Sequence, residues 1–488
     1  MATRPDPVPD LDWSPERARA FGGAMVELWG ELLERLSDLP VSRELEADDV
    51  RDALAVPVPD EPLEPAELLA HLRTLALEQS MYPGHPGFLA YISGAGTVPG
   101  AAADMLASAL NQNAGGWRLG PGATEIELHL TRWLARELGL PEGAGGHVVS
   151  GGAVANLVAL KAARDARGGA GIRTGGVREL PPLAIYASTE CHVVLQRAAD
   201  LLGLGAEAVR AVEVDEAWRM RPDALERAIA ADREAGARPI AVVATAGTTA
   251  TGSIDPVDAI ADVCEREGLW LHVDGAYGAA AALASDLRPL LAGIERADSI
   301  AIDPHKWLYT PLPGGCVLVR DVATLADSFA SEASYIWLAE EARRGIDIAM
   351  LGPQFSRGFT ALKIWVSLLA HGRAAYARRI SHDAALARYL GELVEEHDGF
   401  ELMAPVSLSV CCFRYAPARL RGDDEALDRL NERIMTAIHS DGRVYCSNAV
   451  LDGRFCLRAC VVNFRTEAED MERLLAVAAE HGERLTAS

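Results

Sequence analysis

The sequence predicts a large α/β protein with a mostly parallel sheet, followed by a smaller C-terminal α+β unit. Three observations predict it. From about residue 76 to 320, short apolar runs alternate with amphipathic stretches, the pattern of parallel strands joined by covering helices. Beyond residue 376 the pattern changes: "LSVCCFRY" and "RFCLRACVVNF" read as strands, and "MERLLAVAAEHGERL" as a closing helix. The chain has 488 residues, 49% of them hydrophobic and 24% charged, which supports about two to four domains or one large domain with appendages.

The elements follow in order. Residues 1–75 form a helical segment: "ERARAFGGAMVELWGELLERLSDL" and "PAELLAHLRTLAL" carry apolar residues at helical spacing. Between them "EADDVRDALAVPVPDEPLEP" reads as a proline-rich connector. This segment is too small and one-sided to stand alone, so it is expected to pack on the main body or on a partner subunit. Residues 76–375 form the large unit, with strands at "HVVS", "LAIYAS", "IAVVATAG", "LWLHVD", "SIAID" and "CVLVR". "ARGGAGIRTGG" reads as a surface loop, and "FTALKIWVSLLAHG" as a helix after an irregular segment. Residues 376–488 form the small unit.

Composition narrows the partners. The net charge is −24, from 46 basic and 70 acidic residues. Such a surface repels nucleic acid and anionic lipid, so neither is expected to bind. The eight cysteines form no C-x-x-C pair and no zinc spacing occurs, so buried free thiols and no metal are expected. The N-terminal "MATRPDPVPDLDW" has no apolar core, and no run of about 18 apolar residues exists to span a bilayer. A cytoplasmic enzyme is the expectation.

The chemistry gathers at strand ends, where ligands sit in parallel sheets. "SIAIDPHKWLYT" places Lys306 just past a buried strand, although lysine is costly to bury. "LWLHVDGAYGAA" ends a strand on Asp274, followed by small residues that leave room for a flat ligand. Alone, Asp274 reads as a cap or a structural ion pair. "VVSGGAVANLVAL" runs strand, Ser150, Gly151, Gly152, helix, the arrangement that presents free N–H groups to a phosphate, though alone it reads equally as a turn kept for packing. His192 stands at a helix start after a strand, and Thr248 and Thr249 follow another strand. A lysine with cationic or desolvating neighbours becomes a Schiff-base nucleophile. An acid opposite a heteroaromatic nitrogen keeps that nitrogen protonated. Lysine, acid and phosphate cradle together meet the needs of pyridoxal 5′-phosphate.

"HPGFLAY", "SGGAVANL", "HVDGAYG", "DPHKWL" and "LRACVVNFRT" resemble the pyridoxal-phosphate-dependent group II amino-acid decarboxylases, which include the aromatic-L-amino-acid, histidine and glutamate decarboxylases. The resemblance runs in order from about Leu11 to the C-terminus. It implies an aspartate-aminotransferase-like (fold type I) enzyme and an obligate homodimer with sites at the subunit interface. By resemblance, Lys306 carries the cofactor as an aldimine and Asp274 partners the pyridinium nitrogen. His192 stacks on the ring and Ala276 lies beneath it. Ser150, Gly151, Gly152 and Ala153, with Asp303 and His305, match the phosphate-binding set, and Thr249 the hydroxyl near the cofactor's oxygen. Tyr91, Ile92 and Tyr335 match the substrate side.

Two departures stand out. Ala153 and Val154 replace a hydroxyl residue and a polar residue. The family's mobile loop, matched near 331–355, carries a tyrosine thought to protonate Cα of the quinonoid, and alignment places Ile348 there, within "RRGIDIAMLGPQF". The expected reaction is decarboxylation of an L-amino acid. An aromatic or bulky apolar side chain is favoured, since Tyr91 and Ile92 offer no charge and Gly94 leaves space. The missing tyrosine keeps open decarboxylation coupled to oxidative deamination, giving an aldehyde. Another carbon–carbon lysis or a biosynthetic condensation on the same fold is the third option. "GWRLGPGATEIE" (116–127) is either a loop near the site or a surface turn, with Trp117 and Arg118 facing substrate or packed.

Overall fold

The computed structural model describes residues 11–178, 180–331 and 345–487. Its strands are β1 (Phe88–Leu89), β2 (Gly145–Val149), β3 (Leu183–Ser188), β4 (Val209–Val212), β5 (Arg238–Thr245), β6 (Trp270–Asp274), β7 (Ser299–Ile302), β8 (Gly315–Val319), β9 (Phe400–Leu402), β10 (Val410–Tyr415), β11 (Tyr445–Leu451) and β12 (Arg454–Cys460). The large sheet has the order β2-β8-β7-β6-β5-β3-β4. It is parallel from β7 to β4, and only β8 runs antiparallel to its neighbours β2 and β7. This is the mostly parallel sheet expected from the alternating pattern.

Both faces of the sheet are covered, which is why its strands read as unbroken apolar runs. The period-2 alternation divides each strand between two cores. Val149, Ile185, Val243, Ala301 and Val317 pack with Ala155, Val158 and Ala159 of the helix Gly152–Arg167. Val148, Tyr186, Val242, Val273, Ile300 and Leu318 pack into the core on the opposite face. The alanines let the helix lie close to the sheet. That closeness brings the helix N-terminus to the carboxyl ends of β2, β6 and β7.

The smaller sheet has the order β1-β11-β12-β10-β9. Phe88 and Leu89, expected in the large unit, pair with Tyr445 and Cys446 in this sheet. The segment "HPGFLAY" is thereby tied to the C-terminal strands. The 303–314 connection between β7 and β8, which carries Lys306, is fastened to the long helix Arg373–Glu396. There the fully buried Asp383 accepts from Trp307 Nε1 (3.0 Å), Tyr309 Oη (2.7 Å) and Arg379 Nε (2.8 Å).

Four local readings change. The connector expected between the first helices contains a helix, Ala47–Leu54, whose first turn carries Asp48 and Asp49, a favourable placement against the helix dipole. Within "ARGGAGIRTGG" the chain forms a short helix, Ile172–Gly175, anchored by buried Ile172. β4 is an addition to the expected strands, because "VRAV" is short and half-exposed. Residues 116–127 form a 3₁₀ turn (Trp117–Leu119) and the start of the helix Pro121–Glu137. Trp117 is packed there: its backbone N–H donates to Asp347 Oδ1 and its indole to Glu125 Oε1, both at 2.8 Å.

Two core histidines set an acid limit on stability. Burial holds His147 and His272 down to about 4, from an ordinary 6.5. Both are neutral when folded and bind a proton when unfolded. Their contribution is complete above 6.5 and is lost as pH falls toward 4, with about 2 kcal/mol withdrawn by each at about pH 5. Buried Asp383 and Asp255, pushed up to about 7 and about 6 by burial, act in the opposite sense over this range. The test is therefore differential: between neutral pH and about pH 5 His147→Gln should lose about 2 kcal/mol less than the wild type, read from urea midpoints.

Candidate active site

The carboxyl ends of β2, β5, β6 and β7 enclose a cavity of about 180 Å³. Gly152, Ala153, Asp274, Asp303 and Lys306 line it, with Thr249 and His192 toward its opening. It opens into an outer pocket of about 580 Å³ whose wall includes Tyr91, Ile92, Glu190, Ala449, Val450 and Arg458. Ile92, His192, Thr249 and Lys306 border both spaces.

Lys306 Nζ lies 3.2 Å from Asp303 Oδ2. Where cationic or desolvating neighbours were expected, the group that meets it is a buried carboxylate. Asp303 Oδ1 is buried without a hydrogen-bond partner among the described residues. The carboxylate lies under the glycine turn: a Cβ on Gly152 would stand 2.9 Å from Asp303 Oδ2, and one on Gly315 2.7 Å from Oδ1. His305 Nδ1 is 2.6 Å from the Gly314 carbonyl oxygen. Its Cε1 would be 3.3 Å from a Cβ on Gly151. Burial, together with the Lys306 charge, holds the His305 imidazole below its usual range, against the pull of Asp303.

The helix Gly152–Arg167 begins at this turn. Gly152 and Ala153, in its first turn, have no intrahelical acceptor for their N–H groups. Glycine at 152 is required by the approach of Asp303 and of Ala276, whose Cβ would lie 3.1 Å from a Cβ on residue 152. Ser150 is exposed and lines neither space, so the structure does not bring it to the cavity.

Asp274 ends β6 and is 7% exposed. Its Oδ1 accepts from the Ala276 N–H and its Oδ2 from Asn156 Nδ2, each at 3.2 Å. Ala276 and Tyr277 complete this wall. His192 stands across the opening as an exposed ring. Loss of water behind it and the Lys306 charge lower its pKa, while Asp274 pulls the other way.

The outer pocket holds a residue that motif reading passed over. Arg458, on β12 and 2% exposed, donates from Nε to the Ala250 carbonyl oxygen at 3.0 Å. Its Nη1 donates to the Tyr91 carbonyl oxygen at 3.0 Å and to Ser447 Oγ at 3.2 Å. Nη2 is buried with no partner among the described residues. Tyr91 needs this support: its φ is +57°, a strained value for a tyrosine. The arginine of "LRACVVNFRT" was visible, but its reach to a turn some 367 residues earlier in sequence was not.

Gly94 does not leave space for a substrate. A Cβ there would stand 2.5 Å from the Lys306 carbonyl oxygen, so its smallness serves backbone contact. Tyr335 lies outside the described residues. Of the segment expected to be a mobile loop, Ile348, Ala349, Leu351 and Gly352 are packed, while Ile346 and Phe355 are exposed. Ile348 is 1% exposed, Ala349 donates to the Gly115 carbonyl oxygen at 2.9 Å, and Ile348 lines neither space.

The residues fit pyridoxal phosphate. The cavity offers a lysine amine, a buried carboxylate, a glycine turn that a Cβ would fill, and free helix N–H groups for a phosphate.

Comparison with known proteins agrees. The pyridoxal-dependent decarboxylase conserved domain matches residues 48–416. The aromatic-L-amino-acid decarboxylase of Bacillus atrophaeus is 35% identical over 467 residues, covering 96% of this chain and 95% of the relative. A phenylacetaldehyde synthase of a Rosa hybrid cultivar is 29% identical over 485 residues, covering 96% and 95%. The crystal structure of Oryza sativa TDC with PLP and tryptamine superposes with a TM-score of 0.91 at 29% identity, covering 97% of this chain and 99% of that one.

Borohydride reduction of the protein loaded with pyridoxal phosphate should attach the cofactor to the peptide carrying Lys306, read by mass spectrometry. Lys306→Ala should abolish that label while still binding the cofactor reversibly.

Proposed function

The chain belongs to the pyridoxal-dependent decarboxylase family and is a pyridoxal-phosphate-dependent amino-acid decarboxylase; on that premise we propose that its substrate is an aromatic or bulky apolar L-amino acid. The observation that carries this reading is the outer pocket, whose lining sets Tyr91, Ile92, Val193, Ala449 and Val450 beside the polar Glu190, Asn448 and Arg458. The aromatic-L-amino-acid decarboxylase and the structure holding tryptamine support it.

Each residue has a role in this reading. Lys306 holds the cofactor and yields it to the substrate amine. Asp303 receives the ammonium that Lys306 then becomes. A carboxylate and a phosphate repel, so Asp303 is assigned to the lysine rather than to the phosphate set. The N–H groups of Gly152 and Ala153, with His305 beside the turn, face the phosphate. Asp274 faces the ring nitrogen, His192 and Ala276 flank the ring, and Thr249 meets the cofactor's oxygen. When bound, pyridoxal phosphate supplies the sink for the electron pair left as the Cα–carboxylate bond breaks.

Arg458 borders the outer pocket, and its Nη2, buried and unpartnered among the described residues, is assigned to the substrate carboxylate once a side-chain shift uncovers it. The limited hold suits the chemistry: a strong ion pair would stabilise the very charge that is lost as carbon dioxide. Arg458→Gln should raise KM about tenfold, with a smaller change in kcat, in steady-state assays.

Assembly is part of the proposal. Met105, Leu106 and Leu110 of the helix Val98–Leu110 are 60%, 53% and 49% exposed. The first helix, Pro15–Arg35, has no buried residue in the single chain. We infer that a second copy covers both, giving a homodimer. The eight unpaired cysteines suit a reducing, cytoplasmic setting, and no described helix is long and apolar enough to cross a membrane.

A second reading starts from the alignment of Ile348, which has no proton to give, although the structure packs that residue away from the cavity. Without a donor at Cα, the amino acid, oxygen and water yield aldehyde, carbon dioxide, ammonia and hydrogen peroxide. The similarity to phenylacetaldehyde synthases supports it. Incubation with a panel of L-amino acids, in air and under nitrogen, separates the two. Carbon dioxide and amine in equal amounts without peroxide mean simple decarboxylation. Peroxide and aldehyde that vanish under nitrogen mean the oxidative route.

A further inference from the structure

Behind the cavity a line of polar side chains crosses the otherwise apolar layer between the helix Gly152–Arg167 and strands β6 and β7. Trp270, His272 and Asp274 alternate along one face of β6, and His272 pairs in register with Ser299 of β7. Trp270 Nε1 donates to Ser299 Oγ at 2.8 Å. Ser299 Oγ is 2.9 Å from His272 Nδ1, and His272 Nε2 is 2.8 Å from Asn156 Oδ1. Asn156 Nδ2 donates to Asp274 Oδ2 at 3.2 Å and to the Gly152 carbonyl oxygen at 2.8 Å. Trp270, Ser299, His272 and Asn156 are each at most 3% exposed.

The inventory of donors and acceptors gives this line a direction. Asn156 must turn its NH₂ toward Asp274 and the Gly152 carbonyl, since its oxygen there would face two acceptors. Its Oδ1 therefore accepts, and His272 Nε2 carries the hydrogen. His272 is neutral in this layer, so with the hydrogen on Nε2 its Nδ1 accepts from the Ser299 hydroxyl at 2.9 Å, the Ser299 carbonyl oxygen standing farther off at 3.2 Å. Ser299 Oγ in turn accepts from the indole of Trp270. Every hydrogen bond points the same way and the line ends on the Asp274 carboxylate.

We propose that Asn156, His272 and Ser299 are positioning residues that aim and stabilise the negative charge of Asp274 toward the cofactor's ring nitrogen. This rests on the reading of Asp274 as the partner of that nitrogen. A carboxylate with one oxygen pinned by Ala276 and the other by Asn156 has a single orientation, and donors polarised in series strengthen its hold on a positive partner. Through the Gly152 carbonyl, the same asparagine fixes the first helical turn, which cradles the phosphate. The two ends of the cofactor are thereby registered to each other by one side chain.

The test is equilibrium titration of the apoprotein with pyridoxal phosphate and with its carbocyclic analogue, in which C–H replaces the ring nitrogen. The wild type should prefer pyridoxal phosphate. His272→Phe should weaken pyridoxal phosphate about tenfold or more and leave the analogue within about twofold, whereas Asn156→Leu, which also frees the phosphate turn, should weaken both and pyridoxal phosphate the more. Ser299→Ala, the outermost and mildest change, should show the same selective loss at smaller size, about threefold, and serves if the other variants do not fold. Equal weakening of both ligands would make the line a structural network only and overturn the proposal. A wild type indifferent to the ring nitrogen would overturn the role of Asp274 itself.

Discussion

The site depends on a close approach of three backbone segments. The Gly151–Gly152 turn, the turn after β7 and the first residue of β8 meet with no room for a side chain. A Cβ on Gly315 would stand 2.5 Å from the Gly151 Cα, and one on Gly152 2.9 Å from Asp303. Only because these segments touch do the helix N-terminus, Asp303 and Lys306 share one cavity. The approach is possible because the helix Gly152–Arg167 meets the sheet through alanines at 155, 159 and 163. Packing chosen far from the chemistry therefore sets the distances within it.

The charges around the cavity have an order that the net charge of −24 conceals. The surface is acidic, but positive features gather inside: the first turn of the helix, Lys306 and Arg458. Each faces a specific acceptor or an empty position. Lys306 meets Asp303, and Arg458 ties two carbonyl oxygens and one hydroxyl. On the proposed reading, Arg458 on the outer side would meet the carboxylate of a zwitterionic amino acid and Lys306 on the inner side its amine. The acidic exterior discourages competing polyanions from the same mouth.

Much of this was legible in sequence, for physical reasons. Buried parallel strands must be apolar on both faces, so β2, β3 and β5 to β8 announced themselves. Asp274, Lys306 and the double glycine were visible because a buried charge or a missing side chain at a strand end is costly without a purpose. What stayed hidden depends on contacts distant in sequence. Asn156 is one polar residue inside a helix, and His272 one inside a strand; nothing local says that they meet. Arg458 read as part of a strand. Gly94 read as room for substrate, when the Lys306 carbonyl already fills that room. Ser150 stood next to the cradle in sequence yet turns to solvent.

Arg458 has a consequence for how the molecule moves. It sits in the smaller sheet but bonds the Ala250 carbonyl of the large unit and the Tyr91 carbonyl of the segment between them. Cys412 Sγ donates to the same Ala250 oxygen at 3.2 Å. Swinging the C-terminal unit away from the cavity would break all of these buried bonds together and strand a guanidinium in the gap. These buried bonds oppose such a swing, and the opening that the cavity shares in this structure is the outer pocket.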